Sequence, residues 1–514
     1  MNMKTENWKE ELPKFRENTA AFYAGEMDKG AYKGFSGYYG SYAQKGGKAS
    51  MLRLRMTAGQ VTREKLDFTA KMIKEYQVKT LHFTTCQTIQ LHDLDQDQVC
   101  EIMEKAIDAG IITIGGGGDY PRNVMCSPLS GTEADEYFDV LPWAKIAGEY
   151  LMTFVKAEKM PRKLKVGFSN SPKNLTHATY RDLGFAARKD GLFDVYSAGG
   201  LGNNPKFGVL VAEGIKPEEI CYYIKAMWLT FRAYGNYENR AKARTRYMQD
   251  AVGGPEEYKK AFLEKLQQVR ESGEDLMIHV EEDAVEKSGD GSEISDIRAF
   301  AQKQDGLYTV MWHPIGGRPN PEVFCAVNDA VQSMKGVEMR LSPDETAYFV
   351  NLTGTEAKKL LELTKDSAMT PFEASVSCIG ASVCQVGARD SQGLLAACVD
   401  AVRKAGISAN ALPKIHISGC PSSCGTHQTG DMGFRGGVKK VDGKVCPAFV
   451  LYVGGCDYQG KETMGRELGT IEEIKIPEFL VKLGQVVSES GMSFADWNQK
   501  NPEKLEQVAA SYLA

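Results

Sequence analysis

Two cysteine pairs are the residues of this sequence best suited to chemistry. Cys378 and Cys384 are separated by five residues, and Cys420 and Cys424 by three. Four thiolates complete the coordination of one metal centre, which is either a structural zinc ion or an iron–sulfur cluster. Neither spacing matches the tight turns that usually bind zinc, and a cluster is wider than a single ion. The spacing therefore favours a cluster, with zinc and unligated cysteines as the alternatives.

The second pair lies in the segment Ser-Gly-Cys420-Pro-Ser-Ser-Cys424-Gly. Together with the C-x5-C pair before it, this segment resembles the siroheme-dependent sulfite and nitrite reductases, and the resemblance extends from about Tyr42 to about Gly491. It implies a 4Fe–4S cluster with four cysteine ligands: Cys378, Cys384, Cys420 and Cys424. It also implies that Cys424 is the axial ligand of the siroheme iron, which couples the two cofactors.

The same resemblance implies a cationic pocket for the small anion that such enzymes reduce. Four residues of this sequence match the pocket: Arg53, Arg122, Lys163 and Lys165. Fixed cations hold an anion more strongly in a low-dielectric site than in water. Residues two apart on a strand face the same side, so Lys163 pairs with Lys165, and Arg53 with Arg55. A solvated surface charge is the alternative for any one of them, but two same-side pairs favour a pocket.

Siroheme carries eight carboxylates, so the resemblance implies further polar contacts to the cofactor. The predicted cofactor-binding residues are Cys424, Arg55 and Gln87, with Arg181 and Lys173 as weaker candidates.

One motif departs from the family pattern. Family members often have Thr-Asn-Arg-Gln near the macrocycle, where this chain has Thr84-Thr85-Cys86-Gln87. Cys86 replaces the arginine expected to touch siroheme, and His82 stands where another basic residue is common. We predict that Cys86 is a packed thiol rather than a ligand.

A dense basic stretch contains Arg240, Lys242, Arg244 and Arg246. If the stretch is helical, these residues fall on two neighbouring faces. The possible roles are a solvated helix, contacts to siroheme carboxylates, docking of an acidic electron donor, or nucleic-acid binding.

A repeated order of predicted elements indicates an internal duplication. Residues 50–110 predict a strand, a helix, two strands and a helix, and residues 309–365 predict the same order. Residues 169–185 also align without a gap with residues 418–434. The predicted fold is α+β, with duplicated ferredoxin-like half domains and two siroheme/4Fe–4S-type α/β domains related by a pseudo-two-fold axis. Only the second copy has all the cluster cysteines, and only the first has the strand arginines, so we expect the site between the halves.

The predicted divisions follow from this duplication. They are a lead-in (1–45), the first half domain (46–115), an α/β domain without cluster cysteines (116–270), the second half domain (300–368) and the cluster- and siroheme-binding domain (369–505). A charged segment at about 249–299 is predicted to link the copies.

The composition is that of an ordinary globular protein. The 514 residues are 42% hydrophobic and 25% charged, and the net charge of −5 argues against a nucleic-acid partner. Twelve dispersed cysteines suit a reducing compartment. The sequence shows no signal-peptide pattern and no apolar run of about 18 residues. These features predict a cytoplasmic protein without membrane contact, and we expect a monomer.

The chain has no G-x-G-x-x-G motif opening a βαβ unit, so we expect electrons to come from a separate protein, for which ferredoxin is the predicted donor. The resemblance implies six-electron reduction of sulfite or nitrite. Related nitrite reductases often have Lys-x-Asn where Lys163-Leu-Lys165 stands, and sulfite reductases have Lys-x-Lys. This favours sulfite, with nitrite as the alternative. A zinc-stabilised interaction protein is a remote alternative, and a dissimilatory subunit is disfavoured because one chain contains both halves of the site.

Overall fold

The computed structural model describes residues 7–280 and 285–513. Residues 281–284 of the predicted linker and the polar start of the chain at residues 1–6 lie outside the described residues. All element bounds below refer to the described part of the chain.

The first part of the chain forms four helices and an antiparallel sheet. Its elements are α1 (Leu12–Tyr23), α2 (Lys29–Ser36), β1 (Ser41–Ala43), β2 (Ser50–Arg55), β3 (Gln60–Val61), α3 (Arg63–Tyr76), β4 (Thr80–Phe83), β5 (Thr88–Leu94) and α4 (Gln96–Asp108). Strands β1, β2, β5 and β4 are neighbours in that order. Phe15 and Tyr32 are fully buried, so the lead-in packs on the body of the protein. Thr62 caps α3 by accepting a hydrogen bond from the Lys65 N–H.

The second part forms a mixed sheet covered by helices. Its elements are β6 (Met125–Cys126), α5 (Leu141–Met152), β7 (Val166–Ser169), β8 (Leu183–Ala187), β9 (Phe193–Ser197), β10 (Val209–Ile215), α6 (Ile220–Tyr234), α7 (Tyr247–Ala251) and α8 (Pro255–Glu271). Strands β6, β7 and β8 are parallel, and β9 and β10 continue the sheet antiparallel. Helix α8 lies in the segment predicted as a linker, but it buries Tyr258, Phe262 and Leu266 in the core of this part.

The third part repeats the first. Its elements are β11 (Ala299–Ala301), β12 (Tyr308–Trp312), α9 (Pro321–Val331), β13 (Glu338–Leu341), β14 (Ala347–Leu352) and α10 (Gly354–Leu363). Pro321 opens α9, and α10 begins at Gly354 with Thr353 as its cap. Strand β3 of the first part pairs with β13, where Val61 lies opposite Met339. The two half domains therefore share a sheet as well as one hydrophobic core.

The fourth part repeats the second. Its elements are β15 (Val376–Ser377), α11 (Ser391–Lys404), β16 (Ile415–Ser418), β17 (Met432–Val441), β18 (Lys444–Val453), β19 (Arg466–Glu472), α12 (Ile476–Glu489), α13 (Phe494–Lys500) and α14 (Lys504–Leu513). Strands β15, β16 and β17 are parallel, and β18 and β19 are antiparallel. This order and these directions match those of β6 to β10 and confirm the predicted duplication. The numerical boundaries of the predicted divisions stay a prediction.

No helix within the described ranges combines the length and the apolar character needed to cross a membrane.

Candidate active site

Two neighbouring parallel strands bring the cysteine pairs together. Cys378 follows β15 and Cys420 follows β16 after one residue, and Ser377 lies opposite Ile417 in the sheet. The carboxyl ends of parallel neighbours meet at one edge of a sheet, which is where ligands bind in such sheets. The Gly419 N–H donates a hydrogen bond to the Cys378 Sγ at 3.2 Å. The sheet register therefore accounts for half of the cysteine site.

The loop that carries Cys384 is fixed against the start of α11. Gly380 has φ of +69°, and a Cβ there would lie 2.7 Å from the Ser391 nitrogen, so only glycine fits. The Cys384 N–H donates to the Gly380 carbonyl oxygen at 2.8 Å. The Ser391 hydroxyl lies 3.2 Å from the Cys378 Sγ. The positive end of α11 and this hydroxyl both favour a thiolate at Cys378.

The four cysteines influence one another without forming a site for a single ion. Burial raises the pKa of Cys378 to about 12, and the charge of Cys424 adds to the effect. Burial also raises the pKa of Cys424, and Cys420 and Cys384 reinforce that shift. Among the described residues, no three histidine, cysteine or acidic side chains are placed to hold one metal ion. This spread suits a 4Fe–4S cluster, in which each iron takes a different thiolate, better than zinc.

Two arginines of the predicted anion pocket meet at the glycine run that ends at Gly118. Arg53, on β2, and Arg122 both donate to the carbonyl oxygen of Gly116. Arg122 also donates to the Gly118 carbonyl at 2.8 Å, and the Gly118 N–H donates to the Tyr42 hydroxyl at 2.7 Å. Burial lowers the pKa of Arg122 to about 10. The arginines of one strand and one loop therefore point into one partly buried space.

The two predicted lysines border the same space and the last cysteine. Burial lowers the pKa of Lys163 and of Lys165, and the charge of Cys424 acts on both. Asp182, which is 1% exposed, accepts a hydrogen bond from the Lys165 N–H at 2.8 Å and pairs with Arg244 at 3.0 Å. Lys163 also interacts with Arg122. The structure thus places the two lysines beside Cys424 and brings Lys163 near Arg122 of the arginine pair.

The predicted cofactor-binding side chains differ in whether they already have partners within the protein. Arg55 is 7% exposed, and burial lowers its pKa to about 9. Gln87 is fully buried and its amide is occupied: Nε2 donates to the carbonyl oxygens of Cys126 and Leu341, and Oε1 accepts from the Cys126 N–H. Lys173 pairs with two carboxylates, those of Glu133 and Asp135. A cofactor contact from Gln87 stays a prediction, with its side chain already engaged in the protein.

The helix considered for the basic stretch is wrong. Arg240 and Lys242 lie in a single 3-10 turn, and the stretch is fixed by side-chain contacts instead. Arg240 pairs with Asp119 at 2.6 Å, and Arg246 donates to the Asn203 carbonyl. Arg240, Arg244 and Arg246 thus bind separate acceptors, which a regular helix would not reach. Only Arg244 of the stretch joins the pocket.

Sequence reasoning also missed the setting of Cys86. Burial would by itself raise the pKa of its thiol, yet nearby cations lower that pKa to about 6. The four cations are Lys165, Arg181, Arg53 and Lys163. Cys86 is half-buried with cations around it, a setting that the prediction of a packed thiol did not include. The sequence signal for this setting was the position of Cys86 in its motif, where members of the family have an arginine that is expected to touch siroheme.

The pocket fits an anionic cofactor as well as an anion. Arg55, Arg122 and Arg244 each keep a buried Nε–H that has no hydrogen-bond partner among the described residues. Unsatisfied buried donors of this kind are rare and call for an acceptor. Carboxylates of a macrocycle supply such acceptors in the bidentate geometry that arginine favours.

A duplicated α+β fold that sets four cysteines beside a buried cationic pocket defines a class of redox enzyme acting on small anions. Two family models match the chain. "Nitrite and sulphite reductase 4Fe-4S domain" matches residues 117–269 and 372–495, and "Nitrite/Sulfite reductase ferredoxin-like half domain" matches residues 42–109. The first alone spans more than half of the 514 residues. The chain belongs to the nitrite and sulphite reductase family, and its cofactors are siroheme and a 4Fe–4S cluster.

Relatives and a solved structure agree with this family. A ferredoxin–nitrite reductase of Leptolyngbya laminosa is 25% identical over 442 residues, covering 83% of each chain. A protein named sulfite reductase (ferredoxin) 1 from Mycolicibacterium paratuberculosis is 24% identical over 79% of this chain and 71% of its own. The structure of the Mycobacterium tuberculosis NirA protein superposes with a TM-score of 0.78 at 22% identity, covering 98% of both chains. That superposition shows a shared fold.

Proposed function

We propose that this protein catalyses the six-electron reduction of sulfite to sulfide. The observation that supports this choice is the pair Lys163 and Lys165, which border one pocket together with Cys424. Sulfite carries up to two negative charges near neutral pH, so a second lysine where related nitrite reductases have asparagine favours it over a monoanion. Arg53 and Arg122, held by the Gly116 carbonyl oxygen, add two fixed cations on another wall.

In this proposal the four cations have two tasks. Arg53 and Arg122 keep their charge even when buried, and we assign them to binding and orienting the anion. Burial lowers the pKa of both lysines, which brings them closer to the range where a group gives up a proton readily. We assign Lys163 and Lys165 to donating protons to the oxygens that leave as water.

When bound, siroheme would supply an iron that can take the anion, and the 4Fe–4S cluster would supply stored electrons. Four cysteines would hold the cluster: Cys378, Cys384, Cys420 and Cys424. Cys424 would also contact the siroheme iron. Arg55 and Arg244, whose buried Nε–H groups have no hydrogen-bond partner among the described residues, would take siroheme carboxylates.

We propose ferredoxin as the electron donor. Relatives named ferredoxin–nitrite reductase and sulfite reductase (ferredoxin) support this partner. The twelve cysteines of the chain suit a reducing compartment, and we propose the cytoplasm.

Nitrite reduction to ammonia is the second candidate. It is favoured by the names of the relatives, among which ferredoxin–nitrite reductases from Leptolyngbya laminosa, Betula pendula and Zea mays are 24–25% identical to this chain. The same cations would serve nitrite, because it is also a small oxyanion.

The deciding experiment compares kcat/KM for sulfite and nitrite with reduced ferredoxin and anaerobically purified protein whose visible spectrum shows siroheme. A preference for sulfite that Lys165→Asn narrows would support the proposal. Lys189→Asn, which changes a lysine elsewhere on the protein, is the matched control. A preference for nitrite would replace sulfite by the second candidate.

A further inference from the structure

Cys86 lies at the rigid tip of the hairpin that joins β4 and β5. Its N–H donates to the Thr84 hydroxyl at 3.3 Å, and Gln87 after it adopts a left-handed φ of 53°. Asn123 donates through Nδ2 to the carbonyl oxygens of Cys86 and Gln87, at 3.1 and 3.0 Å. The main chain on both sides of Cys86 is therefore fixed against the residue that follows Arg122.

The asparagine that holds the tip has an unused acceptor. Asn123 is 4% exposed, and within the part of the chain that the structure describes its Oδ1 has no hydrogen-bond partner. A buried amide oxygen without a donor is costly and marks a place where a group with a proton belongs.

Cations surround the thiol from several elements. Lys163 and Lys165 come from the segment that leads into β7, Arg53 from β2, and Arg181 from the turn before β8. Arg122 interacts with Cys86 as well. Behind these cations lie Asp182 and Arg244, and Cys424 acts on both lysines. The charges that act most strongly on Cys86 are all positive and favour its thiolate.

The second copy of the duplicated fold contains the same hairpin, with an acidic side chain in place of the thiol. Its hairpin tip repeats the first: the Ser342 N–H donates to the Thr346 carbonyl, as the Thr84 N–H does to Thr88, and Glu345 has a φ of 68°. In this alignment Asp344 occupies the position of Cys86.

The partner of that acid is equivalent too. The segment of Lys414 before β16 aligns with that of Lys165 before β7. Asp344 and Lys414 form an ion pair at 2.6 Å. Both copies therefore place an ionisable side chain near a lysine. In the second copy this is Asp344 near Lys414, and in the first copy it is the Cys86 thiol near Lys165.

We propose that Cys86 is a proton-transfer residue of the reaction site: its thiolate takes up one proton when an oxyanion binds and passes that proton to an oxygen of the anion. This inference rests on the proposed function. A bound anion shares the cations that stabilise the thiolate, so binding favours the protonated thiol. By reciprocity, protonation of Cys86 favours binding of the anion.

The proton balance is simple. Solvent supplies H⁺ to the Cys86 thiolate as the anion enters, and the thiol then transfers it to a substrate oxygen and returns to the thiolate. Each N–O or S–O bond that breaks consumes two protons and two electrons, and the oxygen leaves as water. The electrons come from the reduced donor protein, so Cys86 changes only its protonation and not its oxidation state.

The first test measures iodoacetamide alkylation of Cys86 in the holoenzyme, followed by mass spectrometry of its peptide between pH 5 and 10. We expect an apparent pKa below the ordinary 9.0 of a cysteine, and a fall of several fold in alkylation rate at pH 7 when nitrite is bound. At pH 10, where the thiol is ionised in either state, nitrite should no longer slow the reaction. Protection that persists at pH 10 would indicate simple steric cover and would overturn the proposal, as would an unshifted pKa.

The second test measures proton uptake on nitrite binding in weak buffer with a pH indicator, without electron donor. Nitrite is the probe because it stays a monoanion near neutral pH. We expect uptake in the wild type, none in Cys86→Ser, and unchanged uptake in Cys446→Ser, which alters a cysteine on β18 outside the pocket. Equal uptake in Cys86→Ser would overturn the inference. Neither test needs turnover, so an inactive enzyme with normal uptake would refute the proposed function alone.

Discussion

The carboxylate of Asp182 accepts a hydrogen bond from the Lys165 N–H at 2.8 Å and also pairs with the guanidinium of Arg244. Its side chain is fully buried, and Thr245 donates to it as well. One acid thus fixes the main chain of a pocket lysine and the side chain of a pocket arginine. The position of this acid, rather than the lysine spacing alone, sets the geometry of that wall.

Asp182→Asn should lower the free energy of unfolding by roughly 2 kcal/mol, because the half-buried Arg244 loses its counter-charge and a charged hydrogen bond. We also expect a higher KM for the anion, since Lys165 and Arg244 lose a shared anchor. Urea unfolding and steady-state kinetics measure the two effects. The control is Asp431→Asn, which makes the same change at the equivalent position of the second copy. It controls for the effect of the substitution on the free energy of unfolding and should leave KM unchanged. An unaltered KM in Asp182→Asn would contradict the positioning role.

Cys378→Ser should abolish cluster assembly, because a serine hydroxyl does not replace a thiolate as a soft ligand. We expect iron and acid-labile sulfide to fall to background in the purified variant, with loss of reductase activity. Cys446→Ser, on β18, should keep the full content of both. Retained cluster in Cys378→Ser would show that this cysteine is not a ligand.

Gln87→Ala should act on stability more than on the cofactor. The buried amide of Gln87 connects the main chains of Cys126 and Leu341, which belong to different parts of the duplicated fold. Its removal leaves buried N–H and C=O groups unpaired, and we expect a loss of about 3 kcal/mol in the free energy of unfolding. Gln507→Ala, on the exposed face of α14, should change little. Loss of siroheme from Gln87→Ala with unchanged stability would instead support the predicted cofactor contact.

The extent to which the sequence predicted the site depends on how local each signal is. The cysteine pairs and the repeat could be predicted because each is a fixed pattern along the chain. The contacts of Cys86 and Asp182 could not be predicted from the sequence, because their partners come from elements far apart in sequence. The same limit applies to β3, which is two residues long and pairs with the other half domain, an outcome set by the shared core and not by local propensity. The basic stretch failed as a helix because contacts to Asp119, Asp182 and Asn203 outweighed local helical preference.

Loss of a proton from Asp457 should lower the free energy of unfolding as the pH rises from about 4 to above 6. Burial raises the pKa of this carboxyl from 3.8 to about 6 in the folded state, so the native protein holds a proton that the unfolded chain has released. The stabilisation is therefore complete below the unfolded pKa and is lost as the pH passes the folded pKa. His177, with Nε2 3.6 Å from Asp457, does not offset this, because burial lowers its own pKa well below the usual range and keeps it neutral.

We expect Asp457→Asn to be more stable than the wild type at pH 7 and to lose the slope between pH 4 and 6 in urea unfolding. Asp135→Asn should show the opposite sign at pH 7, since Lys173 lowers the pKa of Asp135; a wild-type slope that survives in Asp457→Asn would assign it to another group.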